Sequence, residues 1–129
     1  MSASTRDGVM ETMSRYVRAV DDRDFPALDG IFAENVTYTM GAKAVHGREA
    51  AVAALRESLG GRPPMRHVVS SVSVTEQGAD EATAISDWAM LALHDGAWMV
   101  GGIGRYHDRL RRQGDAWLFT ERSIVMPGA

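Results

Sequence analysis

Apolar residues recur with a helical period in the first half of the chain and alternate along the second half, and the segment GGRPP at residues 60–64 separates the two patterns. In the first half they lie three or four positions apart, as in a helix that buries one face. This spacing predicts a first helix from about Thr5 to Asp21. On a wheel of about 100° per residue, its apolar arc contains Val9, Met13, Tyr16, Val17 and Val20.

Two short elements are predicted after this helix. A second helix is expected to begin at the capping carboxylate of Asp24 and the first-turn proline Pro26, because both residue types favour helix starts. It continues through Leu28, Ile31 and Phe32. Residues 36–40 then form a strand rich in β-branched and aromatic side chains, and residues 41–43 can turn it back into a short strand at residues 45–46.

A third helix is predicted to open at residues 47–49 and to end at the glycine pair of residues 60–61. Its inward side chains are Val52, Leu55 and Leu59. Beyond residue 64, four long strands joined by turns rich in glycine and aspartate are predicted. They cover residues 66–75, Glu81–His94, residues 97–112 and Ala116–Val125.

Glycines inside the third long strand indicate that the sheet is strongly bent. Gly101, Gly102 and Gly104 interrupt it, and glycine within a strand commonly marks a bulge or a sharp bend. Helices followed by a long antiparallel sheet are typical of the α+β class. We therefore predict an α+β fold in which three helices pack in the concavity of a curved, mixed sheet of four long strands and a short hairpin, enclosing a pocket.

The composition narrows the class of protein. The chain has 129 residues, 45% of them hydrophobic and 24% charged, as expected for one globular domain over residues 1–129. Its formal net charge of −3 offers no basic surface to nucleic acid. It has no cysteine, which excludes disulfides, thiolate metal sites and cysteine nucleophiles. The absence of cysteine is consistent with the reducing cytoplasm. No apolar run reaches the ~20 residues that span a membrane, and residues 1–7 lack the pattern of a signal peptide.

Common catalytic motifs are absent from the sequence. Each histidine lies alone on its own element, so that no metal-binding pair is present; the four are His46, His67, His94 and His107. The segment GGIG at residues 101–104 lacks both the spacing and the following helix of a nucleotide-binding loop. There is no Gly-x-Ser-x-Gly elbow. Neither a metal nor another cofactor is expected.

Asp21 and Asp22 differ in their placement on the first helix. Asp21 lies just beyond the apolar arc, at about 120° from Val9, whereas Asp22 points to water at about 220°. A carboxylate at the edge of a core can orient a partner or cap the following turn, and both interpretations stay open. Arg122 shares a partly apolar strand face with Thr120 and Ile124, a setting in which a cation requires a carboxylate or a ligand.

Several segments together point to a known family. They are YVRAVDDRD (residues 16–24), FAENVTY (32–38), HGRE (46–49), RHV (66–68), GRYHD (104–108) and AWLF (116–119). In this order and spacing they resemble the SnoaL-like branch of the nuclear-transport-factor-2-like superfamily, whose members are cone-shaped α+β barrels. The resemblance extends from about Asp7 to Val125. Because relatives commonly pair through the outer face of the sheet, it also implies a homodimer.

The resemblance is greatest to the lyases of this superfamily, namely scytalone dehydratase, hexachlorocyclohexane dehydrochlorinase and bile-acid dehydratase. Asp21 and His67 match the aspartate and histidine on which these enzymes depend, Tyr16 matches a tyrosine of the bile-acid enzyme, and Arg122 an arginine of the dehydrochlorinase. The resemblance implies that His67, oriented by Asp21, is a general base, and that Tyr16 and Arg122 stabilise developing negative charge. The residues expected to contact the substrate are Tyr38, Trp88 and Tyr106.

The chain also departs from particular relatives. The second catalytic histidine of scytalone dehydratase would fall near Gly101 and Gly102, and the general base of the ketosteroid isomerases would fall near Met40. The expected function is a cofactor-independent lyase of the dehydratase type, acting on a small apolar substrate that is polyketide-, steroid- or aromatic-like. The alternatives are a SnoaL-type polyketide cyclase or isomerase, and a non-catalytic, ligand-binding dimeric module.

Overall fold

The computed structural model describes residues 4–128 and confirms the α+β prediction. Its helical elements are α1 (Thr5–Asp21), a 3-10 helix (Phe25–Gly30) and α2 (Arg48–Leu59). Its strands are β1 (Phe32–Met40), β2 (Lys43–His46), β3 (Met65–Glu76), β4 (Glu81–His94), β5 (Ala97–Gln113) and β6 (Ala116–Val125). No helix among residues 4–128 is long and apolar enough to span a membrane.

Helix α1 packs its apolar face into the concavity of the sheet. The hydroxyl of Ser4 accepts a hydrogen bond from the backbone N–H of Asp7 at 3.1 Å and caps its first turn. The predicted arc is buried at Val9, Met13, Tyr16 and Val20, while Val17 is partly buried. Thr12 Oγ1 also donates to the backbone carbonyl of Trp117 at 2.5 Å, which fixes α1 against β6.

The second helix is shorter than the sequence predicted. It is a 3-10 helix, and the side chain of Asp24 makes no capping hydrogen bond there. Phe32, expected in this helix, instead begins β1 and pairs with Phe119 of β6. The carbonyl of Ile31 accepts a hydrogen bond from the Phe119 N–H at 3.0 Å. Ile31 and Phe32, which were expected to extend the helix, therefore pair with β6 instead.

The sheet is mixed and curved, and it does not close into a complete barrel. The strand order is β2-β1-β6-β5-β4-β3. Strands β1 and β6 run parallel, and the other neighbouring pairs are antiparallel. The last strand of the chain therefore lies in the interior of the sheet.

Bulges bend the long strands around α1, and two of them lie in β5 and β3. On β5, Met90 pairs with Gly102 and Leu91 pairs with Val100, which leaves Gly101 as an extra residue. On β3, the register shifts between Ser70 and Ser73, where Ser71 has φ of 54°. An extra residue in one strand increases the local twist. The bulge at Gly101 confirms the bend that the glycines predicted.

Candidate active site

Asp21 and His67 meet where the end of α1 crosses the start of β3. His67 Nδ1 lies 2.6 Å from Asp21 Oδ1, and the His67 backbone N–H donates to Asp21 Oδ2 at 3.0 Å. The side chains are 7% and 13% exposed for Asp21 and His67, respectively. Because Met65 is buried and strand side chains alternate, His67 shares the inward face with Met65. Asp22 is exposed, as its place on the wheel predicted.

An open cavity of about 430 Å³ lies beside this pair, between α1 and β3. Asp21 and His67 are part of its wall, together with Arg18 and Arg66. Its apolar lining consists of Met10, Met13, Val17, Val69 and Val72. Ser14 and Asp22 also line it, so the cavity combines an apolar side with a charged one, and clefts of mixed lining are common small-molecule sites.

Trp88 connects the Asp21–His67 pair to the interior of the sheet. Its ring centroid lies 6.0 Å from that of His67 and 5.9 Å from that of Tyr106. The indole lies against Gly102 and Gly104 on the neighbouring strand, and a Cβ atom at Gly104 would come within 2.5 Å of Trp88 Cζ2. The glycines of β5 therefore make room for the indole as well as bending the strand.

Tyr16 and Tyr38 form a hydrogen-bonded pair deep in the core. Their hydroxyl oxygens are 2.8 Å apart. Burial raises the pKa of both tyrosines, so both hydroxyls stay protonated at neutral pH. The Tyr16 ring also packs edge-on against Tyr106 and Phe119.

Arg122 is fully buried among these rings. Its guanidinium carbon lies 3.5 Å from the ring centroid of Tyr106 and 4.2 Å from that of Tyr16, distances at which a cation is attracted to an aromatic face. In the sheet it is directly opposite Tyr38 on β1 and Asp108 on β5. The sequence indicated that this cation needs a carboxylate or a ligand, and the carboxylate is that of Asp108.

Sequence reasoning did not select Asp108. Its side chain is fully buried, and its Oδ1 lies 3.5 Å from Arg122 Nε. Burial raises the pKa of Asp108 from 3.8 to about 6, against the opposing influence of the Arg122 charge. A signal was present, because Tyr106, Asp108 and Leu110 alternate with the exposed Arg105, His107 and Arg109. That alternation places an acid between two inward apolar positions.

Several buried polar atoms of this interior have no hydrogen-bond partner among residues 4–128. They are Ser86 Oγ, Trp88 Nε1, both carboxylate oxygens of Asp108 and all three guanidinium nitrogens of Arg122. Each such group costs about 1–3 kcal/mol, and charged groups cost more.

The sequence matches the model of the SnoaL-like domain over residues 1–123. The chain belongs to the SnoaL-like family.

Several solved structures have the same fold as this SnoaL-like protein. ActVI-ORFA from Streptomyces coelicolor is 22% identical with a TM-score of 0.84, over 96% of this chain and 98% of that one. A candidate scytalone dehydratase from Novosphingobium aromaticivorans is 18% identical with a TM-score of 0.82, over 92% and 81%. LinA is 19% identical with a TM-score of 0.81, over 97% and 91%. No curated protein matches the sequence.

The predicted site residues of this SnoaL-like protein fall into two adjoining groups. Asp21 and His67 form the first, at the cavity wall. The second is the buried cluster of Tyr16, Tyr38, Tyr106 and Arg122, and Trp88 lies between the two. The histidines at positions 46, 94 and 107 are exposed. In residues 4–128, no three His, Asp or Glu side chains are grouped so that they could hold a metal ion.

Proposed function

We propose that this SnoaL-like protein is a cofactor-independent lyase of the dehydratase type, with His67 as its general base and Asp21 as the residue that orients it. The observation that carries the proposal is the 2.6 Å contact between these two side chains at the wall of an open cavity that is partly apolar. The family is consistent with such chemistry, since scytalone dehydratase-like proteins and LinA share the fold.

In this mechanism the Asp21 carboxylate accepts a hydrogen bond from Nδ1–H of His67. This bond selects the tautomer in which Nε2 has a free lone pair, and the carboxylate stabilises the imidazolium that forms later. Nε2 removes a proton from the carbon next to a substrate carbonyl, and negative charge develops on the carbonyl oxygen. The imidazolium then protonates the hydroxyl on the β carbon, which leaves as water while the carbon–carbon double bond forms.

Tyr16 and Arg122 are the donors that we assign to the developing oxyanion. The three Arg122 nitrogens have no hydrogen-bond partner within residues 4–128, and the Tyr16 hydroxyl, held by Tyr38, stays protonated. Donors arranged before the reaction in a site without water stabilise such charge most strongly.

The aromatic side chains of the interior favour an apolar, flat substrate. Tyr38, Trp88 and Tyr106 present ring surfaces around Arg122 and His67, and we assign them to substrate contact. Aromatic and polycyclic β-hydroxy ketones meet this description.

The test is a panel of apolar β-hydroxy ketones, with formation of the conjugated enone followed by its ultraviolet absorbance. Wild-type protein should form the enone and His67→Ala should not, because alanine cannot accept the proton. His67→Ala should remain folded by circular dichroism. Enone formation that persists in His67→Ala would contradict the proposal.

The same panel separates the two alternative functions. A SnoaL-type cyclase would give a ring product, which mass spectrometry and nuclear magnetic resonance distinguish from an open-chain enone. A non-catalytic module would bind panel members saturably without forming any product.

We also propose that two copies of the chain pair through the outer face of the sheet. Val68, Ile85, Val100 and Ile103 lie on this face and are 46–68% exposed, and we call them the outer apolar patch. The register places Val68 and Ile103 on either side of Ala89 in one row. The row of Ser70, Asp87 and Arg105 separates Ile85 from Val68 and Ile103, and exposed apolar side chains of this kind are typical of an interface.

A further inference from the structure

Arg66 is anchored at the open edge of β3, beside the Asp21–His67 pair. Strand β3 is the last strand in the order of the sheet, so one of its edges has no neighbouring strand. Arg66 Nη1 donates a hydrogen bond to the backbone carbonyl of Met65 at 2.8 Å. The backbone N–H of His67 donates to Asp21 Oδ2 at 3.0 Å. Because backbone groups two residues apart point to the same edge of a strand, the Arg66 guanidinium and the Asp21 carboxylate lie along one edge.

Arg18 reaches the same cavity from the other side, on α1. It lies in the last turn of this helix, three residues before Asp21. Arg18 and Arg66 both line the cavity of about 430 Å³, and both are exposed, so a ligand that enters from solvent can contact them. A cation in the last turn also stabilises a helix, but that role does not require a second arginine at the same cavity.

Neither arginine has an ion-pair partner among residues 4–128. The arginine ion pairs of this part of the chain are made by other residues, at positions 48, 105, 109, 112 and 122. Of the two carboxylates in the cavity wall, Asp21 is bound to His67, whereas Asp22 is exposed and makes no ion pair. The wall therefore presents two unpaired guanidinium groups and one unpaired carboxylate to a ligand.

We propose that Arg18 and Arg66 bind a carboxylate group of the substrate, so that the substrate is a β-hydroxy ketone with an apolar body and one carboxylate. This inference rests on the proposed function, since it names the chemical class of substrate for the same cavity. A guanidinium has five N–H donors in a planar arrangement that matches the two oxygens of a carboxylate. The hydrogen bond to Met65 fixes Arg66 and leaves its other donors for the ligand.

The short distance to the general base places this carboxylate on the reacting molecule itself. Arg66 adjoins His67 in the chain, and consecutive Cα atoms are about 3.8 Å apart. Arg18 precedes Asp21 by three residues, which is a rise of roughly 4.5 Å along a helix. A phosphate at the end of a long thioester carrier would lie much farther from the reacting carbon. A carboxylate held by the two arginines would position the carbon from which His67 removes a proton.

The test compares naphthoate with naphthamide, which have nearly the same shape but differ in charge. Calorimetric titration at about pH 7.5, where a carboxylate is ionised, measures both affinities. Wild-type protein should bind naphthoate at least about tenfold more tightly, because hydrogen bonds between charged groups are stronger than neutral ones. Neither ligand has a β-hydroxyl group, so the measurement does not depend on turnover.

Arg18→Gln and Arg66→Gln should each lower the affinity for naphthoate roughly tenfold and change that for naphthamide less than about twofold. Asp22→Asn should raise the affinity for naphthoate about twofold, because it removes a negative charge from the wall. Arg15→Gln is the matched control. Arg15 is exposed on the same helix but does not line the cavity, so its loss should leave both affinities unchanged. Circular dichroism checks that each variant is folded.

Several results would overturn the inference. They are equal or weaker binding of naphthoate than of naphthamide by the wild type, no binding of either ligand, and Arg18 and Arg66 variants that bind like the Arg15 variant. The first two need no variant. A purely structural role of the arginines would lower thermal stability without changing the ligand preference. The lyase proposal fails separately, in the enone assay: a protein that prefers naphthoate but forms no enone would contradict the lyase and retain the carboxylate site.

Discussion

His67 contacts both carboxylate oxygens of Asp21, one through its ring nitrogen at 2.6 Å and the other through its backbone N–H at 3.0 Å. The first contact orients the imidazole and the second fixes the carboxylate against β3. One aspartate therefore holds the histidine at two points, and the ring cannot turn without breaking a charge-assisted hydrogen bond. The same contacts join the end of α1 to the sheet.

Asp21→Asn is predicted to lower kcat by roughly 10²–10⁴-fold with little change in KM. Asparagine can still accept from the His67 backbone, but it cannot stabilise the imidazolium and it favours the wrong tautomer. Enone formation by purified variants, with thermal unfolding followed in parallel, checks the prediction. Asp24→Asn is the control, because Asp24 is exposed and its side chain makes no capping bond. Equal rates in the two variants would exclude Asp21 from the mechanism.

The stability of the protein should depend on pH through Asp108. Its pKa is higher in the folded chain, about 6 against 3.8, so the folded chain binds this proton more tightly than the unfolded one. The contribution of Asp108 to the free energy of unfolding is therefore greatest below about pH 4 and is lost as the pH rises through about 6. The difference between the two pKa values corresponds to roughly 3 kcal/mol.

Asp108→Asn removes this dependence. Between about pH 4 and pH 7.5, the free energy of unfolding of the variant should rise by roughly 3 kcal/mol relative to that of the wild type. This change does not depend on which of the two proteins is more stable at either end of the range. Urea unfolding of both proteins across this range measures the gain, and groups that titrate in both proteins cancel in the difference. Parallel stability curves would show that Asp108 does not titrate in this window.

Gly104→Ala should destabilise the protein by about 1–3 kcal/mol, as expected for overpacking, and should change the tryptophan fluorescence. The new Cβ would lie 2.5 Å from the Trp88 ring and 2.6 Å from the backbone oxygen of Val125, which cannot move aside. Gly102→Ala is the matched control, since its nearest contact is an ordinary 3.5 Å. Neither glycine has a left-handed backbone, so the comparison isolates the side-chain contact. Equal effects of both substitutions would contradict the packing that we describe.

Ile103→Glu is predicted to convert a homodimer into a monomer. Ile103 is 52% exposed in the outer apolar patch, and a buried, unpaired carboxylate at an interface is strongly unfavourable. Sedimentation at micromolar concentration measures the mass of the wild type and of the variant. Ala53→Glu, at an exposed position of α2, should leave the assembly unchanged. A monomeric wild type would rule out the proposed pairing.

The hairpins were predictable because local residues determine them. The turn at Asp95 and Gly96 has φ of 50° and 79° at the two positions, as the Asp-Gly pair indicated, and β4 and β6 have the predicted bounds. The parallel pairing of β1 with β6 was not predictable in this way. Alternation shows which face of a strand is buried but not which strand lies beside it.

The site was predictable in part. The wheel placed Asp21 at the edge of the core and the resemblance paired it with His67, and the structure brings them into contact. Asp108 was missed because the charged residues around it, Arg105, His107 and Arg109, indicate an exposed segment, and charge alone does not show that every second residue points inward. Ser71 was missed because serine gives no signal for a bulge with positive φ.

The position of β6 between β1 and β5 has a consequence for the folding of the newly synthesised chain. This strand, which is synthesised after the other five, joins the β2–β1 half of the sheet to the β5–β4–β3 half and supplies Arg122. Until it has been made, the inner faces of α1 and β1 lack their partners, and a long-range pairing of this kind forms late. A nascent chain that lacks β6 therefore has neither a complete core nor the proposed oxyanion donor. The core and the candidate site are completed in the same folding step.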